Sequence, residues 1–182
     1  QTTPLQLCLM TAQIANGGYK IKPKIIVNNN SLTIEEAKKE MELQSLKASN
    51  TRLFDNKKNI KIVQEAMFSS TNERYGTSYK SRIDDPKYQF AGKTGTAQVK
   101  RISKRERELD LKLEDIPYND RDHALYVAYG PYKKPRYALS IIVEHGGSGS
   151  KAAAPIAKEL FKLIIDRNEI RNKQSNFEEV DI

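Results

Sequence analysis

The sequence predicts an α+β fold in which helices pack on an antiparallel β-sheet. Apolar residues at helical spacing occur near the start, in the middle and near the end of the chain. Between residues 90 and 144 lie three segments rich in β-branched and aromatic residues, and the last two are joined by a short turn at 131–135. Strands that follow one another through short turns pair antiparallel, and helices cover the resulting sheet as a second layer.

The first helix is predicted over residues 3–18. Thr3 is a favourable N-cap, and Pro4 suits the first helical position because it lacks an N–H. Gly17 and Gly18 are expected to end the helix. The predicted buried face consists of Leu5, Cys8, Leu9, Ala12 and Ala15.

Two short extended segments, 19–21 and 24–27, are predicted on either side of Pro23, with a turn at 28–30. Residues 31–59 are polar and weakly periodic, which indicates a surface insertion that carries at most a short helix around 34–46. A second helix is predicted over 60–70, with Asn59 as its N-cap. Its expected buried face is Ile60, Val63, Ala66 and Met67.

The strands are predicted at 90–99, 124–130 and 136–144. Glycines at 146, 147 and 149 then interrupt the chain. A last helix is predicted over 151–167, with Pro155 in its first turn and an apolar face of Ile156, Leu160, Leu163 and Ile164. Residues 171–182 read as a polar tail.

Composition excludes several classes of protein. With 182 residues the chain is long enough for one domain with a core of its own. Its single cysteine, Cys8, excludes an internal disulfide and a multi-cysteine zinc site, and we expect it to be an inert core residue. The net charge of +8 accompanies an abundance of Lys, Ile and Asn that AT-rich coding produces. The charged stretch 100–122 contains one aromatic, Tyr118, so no nucleic-acid role is predicted.

One segment carries recognisable chemistry, the Phe-Ala-Gly-Lys-Thr-Gly-Thr-Ala-Gln sequence at 90–98. Gly92, Lys93 and Thr94 resemble the end of a phosphate-binding P-loop, but that loop requires a glycine where Lys87 stands and should open a helix. The other interpretation is the Lys-Thr-Gly element of penicillin-recognising serine acyltransferases, which lies on a strand beside the active site.

This interpretation assigns a role to each residue of the motif. Lys93 supplies a cation for a substrate carboxylate and for the proton relay around the nucleophile. Thr94 offers a hydroxyl, and Gly95 lets substrate backbone lie against the strand. Thr96 offers a hydroxyl to the carboxylate, and its backbone N–H is a candidate oxyanion donor.

Beyond this motif, the chain resembles the C-terminal part of a class B penicillin-binding protein of the penicillin-binding protein 2 type, the elongation D,D-transpeptidase. The resemblance rests on ordered segments across most of the chain. They are Thr-Pro-Leu-Gln-Leu at 3–7 with Ile-Ala-Asn-Gly-Gly at 14–18, Tyr-Gly-Thr at 75–77, Ala-Gly-Lys-Thr-Gly-Thr-Ala-Gln at 91–98, Arg-Asp-His-Ala-Leu at 121–125, Gly-Pro-Tyr at 130–132 and Glu-His-Gly-Gly-Ser-Gly at 144–149.

The resemblance implies a mechanism, partners and a location. A serine attacks the carbonyl between the two terminal D-alanines of a peptidoglycan stem peptide, D-alanine leaves, and the acyl group passes to an amine on a neighbouring strand. β-Lactams trap the same serine. The implied partner is the membrane glycosyltransferase of the elongation machinery, the implied place is the periplasmic face of the bacterial inner membrane, and no cofactor is implied. Residues 1–170 would form the C-terminal part of the transpeptidase domain.

The family also has Ser-x-x-Lys and Ser-x-Asn elements, which would precede residue 1. The chain begins with Gln1, and we expect it to be part of a longer protein whose nucleophile lies outside this sequence. Two similar patterns occur here, Ser-Thr-Asn at 70–72 and Ser-Gly-Ser-Lys at 148–151. Neither has the family's order, so the chain alone is predicted not to react with penicillin.

Two other functions stay open at this point. A class D-like β-lactamase or penicillin-sensing domain shares the Lys-Thr-Gly element, and a truncated, non-catalytic binding module would carry Lys93 without a reaction. His123 and His145 flank the predicted hairpin and are expected to be cross-strand neighbours. Two histidines without a third ligand favour a structural role over a metal site.

Overall fold

A computed structural model describes residues 2–23, 51–54, 56–101 and 112–178, with side chains through residue 170. The segments predicted at 24–27 and 28–30 lie outside the described residues, as do most of the two insertions. The helices are α1 (Pro4–Ala15), α2 (Lys57–Asn72) and α3 (Ala154–Glu178), and the strands are β1 (Ala91–Ala97), β2 (His123–Gly130) and β3 (Tyr137–Val143). Within these ranges no helix is long and apolar enough to cross a membrane.

The three strands form an antiparallel sheet in the order β1-β2-β3. Lys93 in β1 lies opposite Val127 in β2, and Val127 in turn lies opposite Ser140 in β3. This arrangement confirms the predicted α+β class, with the three consecutive strands as a meander and helices on both faces.

Each face of the sheet has its own apolar core. On one face Phe90, Tyr126 and Ala128 pack against α3. The Phe161 ring of α3 stacks on Phe90 with centroids 4.9 Å apart. On the other face the core contains Met67 of α2, Ala91 and Tyr129, together with partly buried residues of α1. The sheet is therefore the middle layer of the described residues.

The predicted cap of α1 is confirmed. The Thr3 hydroxyl accepts from the Gln6 backbone N–H, and the Gln6 side chain accepts from the Thr3 N–H. Gly17 and Gly18 follow the helix with φ of +88° and +90°, which a residue with a side chain rarely adopts. The predicted buried face is wrong at Leu5, which is 50% exposed, and Cys8, Leu9, Ala12 and Ala15 are only partly buried. The residue of α1 that is completely buried is Thr11, whose hydroxyl donates to the Leu7 carbonyl oxygen and so needs no other partner.

Helix α2 begins one turn before its predicted start. Asn56, not Asn59, caps it, and the Asn56 side chain accepts from the Lys58 backbone N–H at 2.9 Å. Asn56 has the extended backbone that an N-cap needs, whereas Asn59 is already helical. Ile60 is buried as predicted, but Val63 and Ala66 are exposed because they face an open groove.

The predicted apolar face of the last helix is also partly wrong. A π-helical turn at Gly149–Ala153 precedes α3, and Ile156 and Leu163 point to solvent. The side that packs on the sheet begins with alanines, whose small side chains allow close approach, and continues through Phe161 and Ile165. The helix continues past Arg167 to Glu178.

Candidate functional site

The predicted site residues lie on β1, which is an edge strand among the described residues. Lys93 and Thr96 are exposed, while Thr94 and Gly95 are half-buried. The backbone N–H of Gly92 donates to the Thr71 hydroxyl of α2 and not to β2. Residues two apart in an antiparallel strand direct their backbone groups to the same side, so the N–H of Thr96 faces the same outer edge.

The Lys93 ammonium lies above this edge. Its Nζ donates to the Thr94 carbonyl oxygen at 2.9 Å and approaches the Thr94 hydroxyl at 3.4 Å. Among the described residues no carboxylate forms an ion pair with it. A cation held by neutral groups beside exposed backbone donors can bind an anionic group such as a carboxylate.

A groove of about 570 Å³ runs between α1, α2 and β1 and reaches Lys93. Its walls are mostly apolar. Val63 and Ala66 of α2 are exposed because they line this open groove. The loop after α2 also lines it through Tyr75, Gly76 and Thr77. The structure therefore brings together two of the segments on which the family resemblance rests.

Close packing of that loop explains its glycine. A methyl group on Gly76 would stand 2.5 Å from the Ser69 carbonyl oxygen, so the backbone of Gly76 lies directly against the end of α2. The backbone N–H and the hydroxyl of Ser78 each donate to the Ser70 carbonyl oxygen at 3.0 Å. These contacts hold Thr77 beside the groove.

The Ser-x-Asn pattern at 70–72 lies near Lys93 but has a structural use. The Asn72 amide donates to the carbonyl oxygens of Phe68 and Phe90, at 3.0 and 2.9 Å, and so ties α2 to the start of β1. Ser70 lines the groove, yet its hydroxyl oxygen is shielded from solvent and from hydrogen-bond partners in the described residues. An inaccessible hydroxyl is a poor nucleophile.

The Ser-x-x-Lys pattern at 148–151 belongs to the turn that supports β1 and β2. The Ser148 hydroxyl lies 3.0 Å from that of Ser150. A methyl group on Gly149 would stand 2.8 Å from the Gly95 carbonyl oxygen, so the glycine turn packs directly on the motif strand. Both patterns thus have structural contacts in the described residues, and the expectation that neither supplies the nucleophile stays a prediction.

A buried hydroxyl network beneath β1 was not predicted from the sequence. The Tyr126 hydroxyl lies 2.9 Å from the Thr71 hydroxyl and 3.0 Å from the Ser78 hydroxyl. Burial raises the pKa of the Tyr126 phenol, so it stays protonated. A signal was present in β2, where the buried side alternates small and large residues, Ala124, Tyr126 and Ala128.

The two histidines are neighbours, as predicted. Their ring centroids are 4.8 Å apart, and the His145 backbone N–H donates to His123 Nδ1 at 3.0 Å. His145 Nδ1 lies 3.0 Å from the Arg121 carbonyl oxygen, and Tyr118 packs on the His145 ring. Both rings thus have contacts that fix the end of the hairpin, and the described residues contain no cluster of three or more metal-ligating side chains.

Comparison with known proteins follows the same segments. The family model of the penicillin binding protein transpeptidase domain matches residues 1–162. The chain is 32% identical over 165 residues to the peptidoglycan D,D-transpeptidase MrdA of Salmonella typhimurium, covering 90% of this chain and 25% of that protein. It thus spans about a quarter of the length of this curated relative.

Solved structures agree. Penicillin-binding protein 2 of Pseudomonas aeruginosa superposes with a TM-score of 0.63 at 28% identity, over 90% of this chain and 30% of that one. The Helicobacter pylori complex of penicillin-binding protein 2 with MreC gives 0.59 at 30% identity, over 89% and 25%. The chain belongs to the penicillin-binding protein transpeptidase domain family.

Proposed function

We propose that this chain is the Lys-Thr-Gly-bearing part of a penicillin-sensitive peptidoglycan D,D-transpeptidase. The observation that carries the proposal is the outer edge of β1, where the Lys93 ammonium lies beside the Thr94 hydroxyl and reaches a groove, with exposed Thr96 further along the same strand. The chain matches 25% of the length of the Salmonella relative. In this proposal the other reacting groups belong to the part of such a protein that this chain does not match.

In this proposal the stem peptide lies extended along the edge of β1, as a peptide adds to an open sheet edge. Lys93 and the Thr96 hydroxyl bind its terminal carboxylate, and Thr94 orients the Lys93 ammonium through the contact described above. Gly95 leaves room for the peptide backbone. The Thr96 N–H supplies one of the two donors that stabilise the oxyanion.

The reaction is acyl transfer through an acyl-serine. The serine oxygen bonds to the carbonyl carbon between the terminal D-alanines, its proton passes to the departing D-alanine amine, and that C–N bond breaks. An amine of a neighbouring strand then attacks the ester and restores the serine hydroxyl. A β-lactam opens on the same serine, and its ring-opened product stays attached.

The nucleophile in this proposal belongs to Ser-x-x-Lys and Ser-x-Asn elements outside residues 1–182, so the chain alone does not acylate. The protein works at the periplasmic face of the bacterial inner membrane with a membrane glycosyltransferase of the elongation machinery. The name of the Salmonella relative, a peptidoglycan D,D-transpeptidase, supports the transpeptidase activity in this proposal.

Penicillin labelling of the intact protein tests the function. The protein is incubated with a fluorescent penicillin, with and without an excess of unlabelled penicillin, and the modified peptide is identified by mass spectrometry. We expect one adduct, blocked by the competitor, on a serine outside residues 1–182. No adduct would contradict the function, and an adduct on Ser70 or Ser148 would contradict the assigned nucleophile.

The lifetime of the adduct separates a transpeptidase from a β-lactamase. A transpeptidase holds the penicilloyl group for many minutes, whereas a β-lactamase must hydrolyse it within its turnover time. A chase with unlabelled penicillin after labelling measures this lifetime. Loss of the label within seconds would favour the lactamase alternative.

A further inference from the structure

Three buried hydroxyl groups beneath β1, those of Thr71, Tyr126 and Ser78, form a continuous hydrogen-bonded network in a region without solvent. Thr71 and Tyr126 are completely buried, and Ser78 is 1% exposed. The Gly92 N–H donates to Thr71 at 3.0 Å, and the Tyr126 hydroxyl stands between Thr71 and Ser78. The hydrogen-bond network ends at the Ser70 carbonyl oxygen, to which the Ser78 hydroxyl donates at 3.0 Å.

These hydroxyls have further contacts, so either member of the Tyr126–Thr71 and Tyr126–Ser78 pairs can be the donor. The Thr71 hydroxyl also lies 3.4 Å from the Met67 carbonyl oxygen and 3.4 Å from the Ser78 hydroxyl. In either direction the network links the Gly92 N–H of β1 to the Ser70 carbonyl oxygen at the end of α2.

The hydrogen-bond network lies next to the candidate site, because Gly92 immediately precedes Lys93. The groove that reaches Lys93 lies between α2 and β1, and the network joins those two elements. Gly92 has no side chain here because a methyl group would stand 2.5 Å from Tyr126 Cζ, so the phenol ring lies directly against the strand.

We propose that Tyr126 is a positioning residue for acyl transfer, whose hydroxyl acts through Thr71 and Gly92 to hold Lys93 at its place beside the groove. This inference rests on the proposed function. In the proposed function Tyr126 contacts neither the substrate nor the nucleophile. Removing the hydroxyl takes away the 2.9 Å partner of the Thr71 hydroxyl, so the group that accepts from Gly92 is held less firmly, while the direct bonds of Thr71 and Asn72 to the β1 region remain.

A matched control lies three residues further along the same strand. Tyr129 is also buried, at 1% exposure, but its hydroxyl has no hydrogen-bond partner in the described part of the chain. Tyr126→Phe and Tyr129→Phe therefore remove the same atom from the same strand. Only the first substitution removes a hydroxyl from the network that reaches Gly92, the residue before Lys93.

The test uses the intact protein and separates binding from acylation by the concentration dependence of the penicillin reaction. We expect Tyr126→Phe to lower the acylation rate constant about tenfold with the dissociation constant changed less than about twofold, because displacements near 1 Å can cost on the order of 100-fold. Tyr129→Phe is expected to react like wild type. Thr71→Ser, which keeps the hydroxyl, should retain most of the rate that Thr71→Val loses.

The outcomes distinguish this inference from the function on which it rests. A wild-type acylation rate in Tyr126→Phe, or equal losses in Tyr126→Phe and Tyr129→Phe, would overturn the positioning role and leave the function intact. No acylation of wild type would overturn both. If Tyr126→Phe does not fold, a wild-type rate in Thr71→Val would overturn the role.

Discussion

Replacing Gly92 by alanine perturbs the support of the motif strand and leaves the four residues with assigned roles, 93–96, unchanged. The new Cβ would stand 2.5 Å from Tyr126 Cζ and 2.8 Å from Cε1, and it would lie closer still to the hydroxyl oxygen. The Tyr126 side chain is completely buried, so its ring has no open space into which it could move away from the new methyl group.

The magnitude follows from two contributions. Inserting a methyl group into a well-packed core costs about 1–3 kcal/mol. Displacing the phenol also breaks its hydrogen bonds to Thr71 and Ser78, each worth about 1 kcal/mol. We therefore expect Gly92→Ala to lower the free energy of unfolding by about 3–5 kcal/mol.

Gly95→Ala is the matched control in the same strand. Its Cβ would meet Leu125 Cβ at 3.4 Å, an ordinary contact, so the free energy of unfolding should change by less than about 0.5 kcal/mol. Its effect should appear in function, because the methyl group stands on the edge where the proposed function places substrate backbone. Penicillin acylation should fall in this variant while stability is retained.

Urea unfolding followed by circular dichroism, together with penicillin acylation of the intact protein, separates the two effects. The reasoning is refuted if Gly92→Ala unfolds at the wild-type urea midpoint. It is refuted equally if Gly95→Ala is destabilised as much as Gly92→Ala, since the two contacts would then not differ as the geometry requires.

Three further outcomes are expected. A hydrogen bond from Tyr88 and an ion pair with Lys87 lower the pKa of Asp166, so its stabilisation is present above the unfolded-state pKa of 3.8 and is lost as the pH falls through the lower folded value. Urea midpoints of wild type and Asp166→Asn should differ at neutral pH, and the difference should shrink as the pH falls below 3.8. Gly149→Ala should lower the melting temperature, because its Cβ would stand 2.8 Å from the Gly95 carbonyl oxygen, and an unchanged calorimetric melting temperature would contradict this packing. Burial raises the pKa of the Cys8 thiol, so iodoacetamide should alkylate it more slowly in the folded protein than in urea, and equal rates would show that it is accessible.

Local signals in the sequence predicted the elements well where one residue decides the outcome. Thr3 and Pro4 define the start of α1, and both occupy their expected positions. The start of α2 was missed because Asn56 and Asn59 are both good N-caps, and the choice between them depends on tertiary packing. Sequence spacing cannot show which side of a helix meets the sheet.

The last helix illustrates this limit. Large apolar residues suggested the buried side, yet Leu163 is 66% exposed while Ala157 is completely buried. Close approach to the sheet favoured alanines, and a count of apolar residues does not detect that preference. Ile156 and Leu163 are large apolar residues of this helix, yet they are exposed and lie outside the core of the described residues.

For the site, the motif at Lys93 was predictable because its chemistry resides in adjacent residues. The support network was not, because Tyr126 is 55 residues from Thr71 and 48 residues from Ser78 in the sequence. Only the strand register, which places Tyr126 opposite Thr94, brings them together beneath Gly92.

The most direct test of the account is the penicillin acylation rate of the intact protein with Lys93→Ala, compared with Lys134→Ala as a control. Lys134 is an exposed lysine in the turn between β2 and β3, away from the motif strand. We expect Lys93→Ala to fold normally and to lose nearly all acylation, and Lys134→Ala to react like wild type. Acylation of Lys93→Ala at the wild-type rate would contradict the assignment of β1 as the substrate-binding strand.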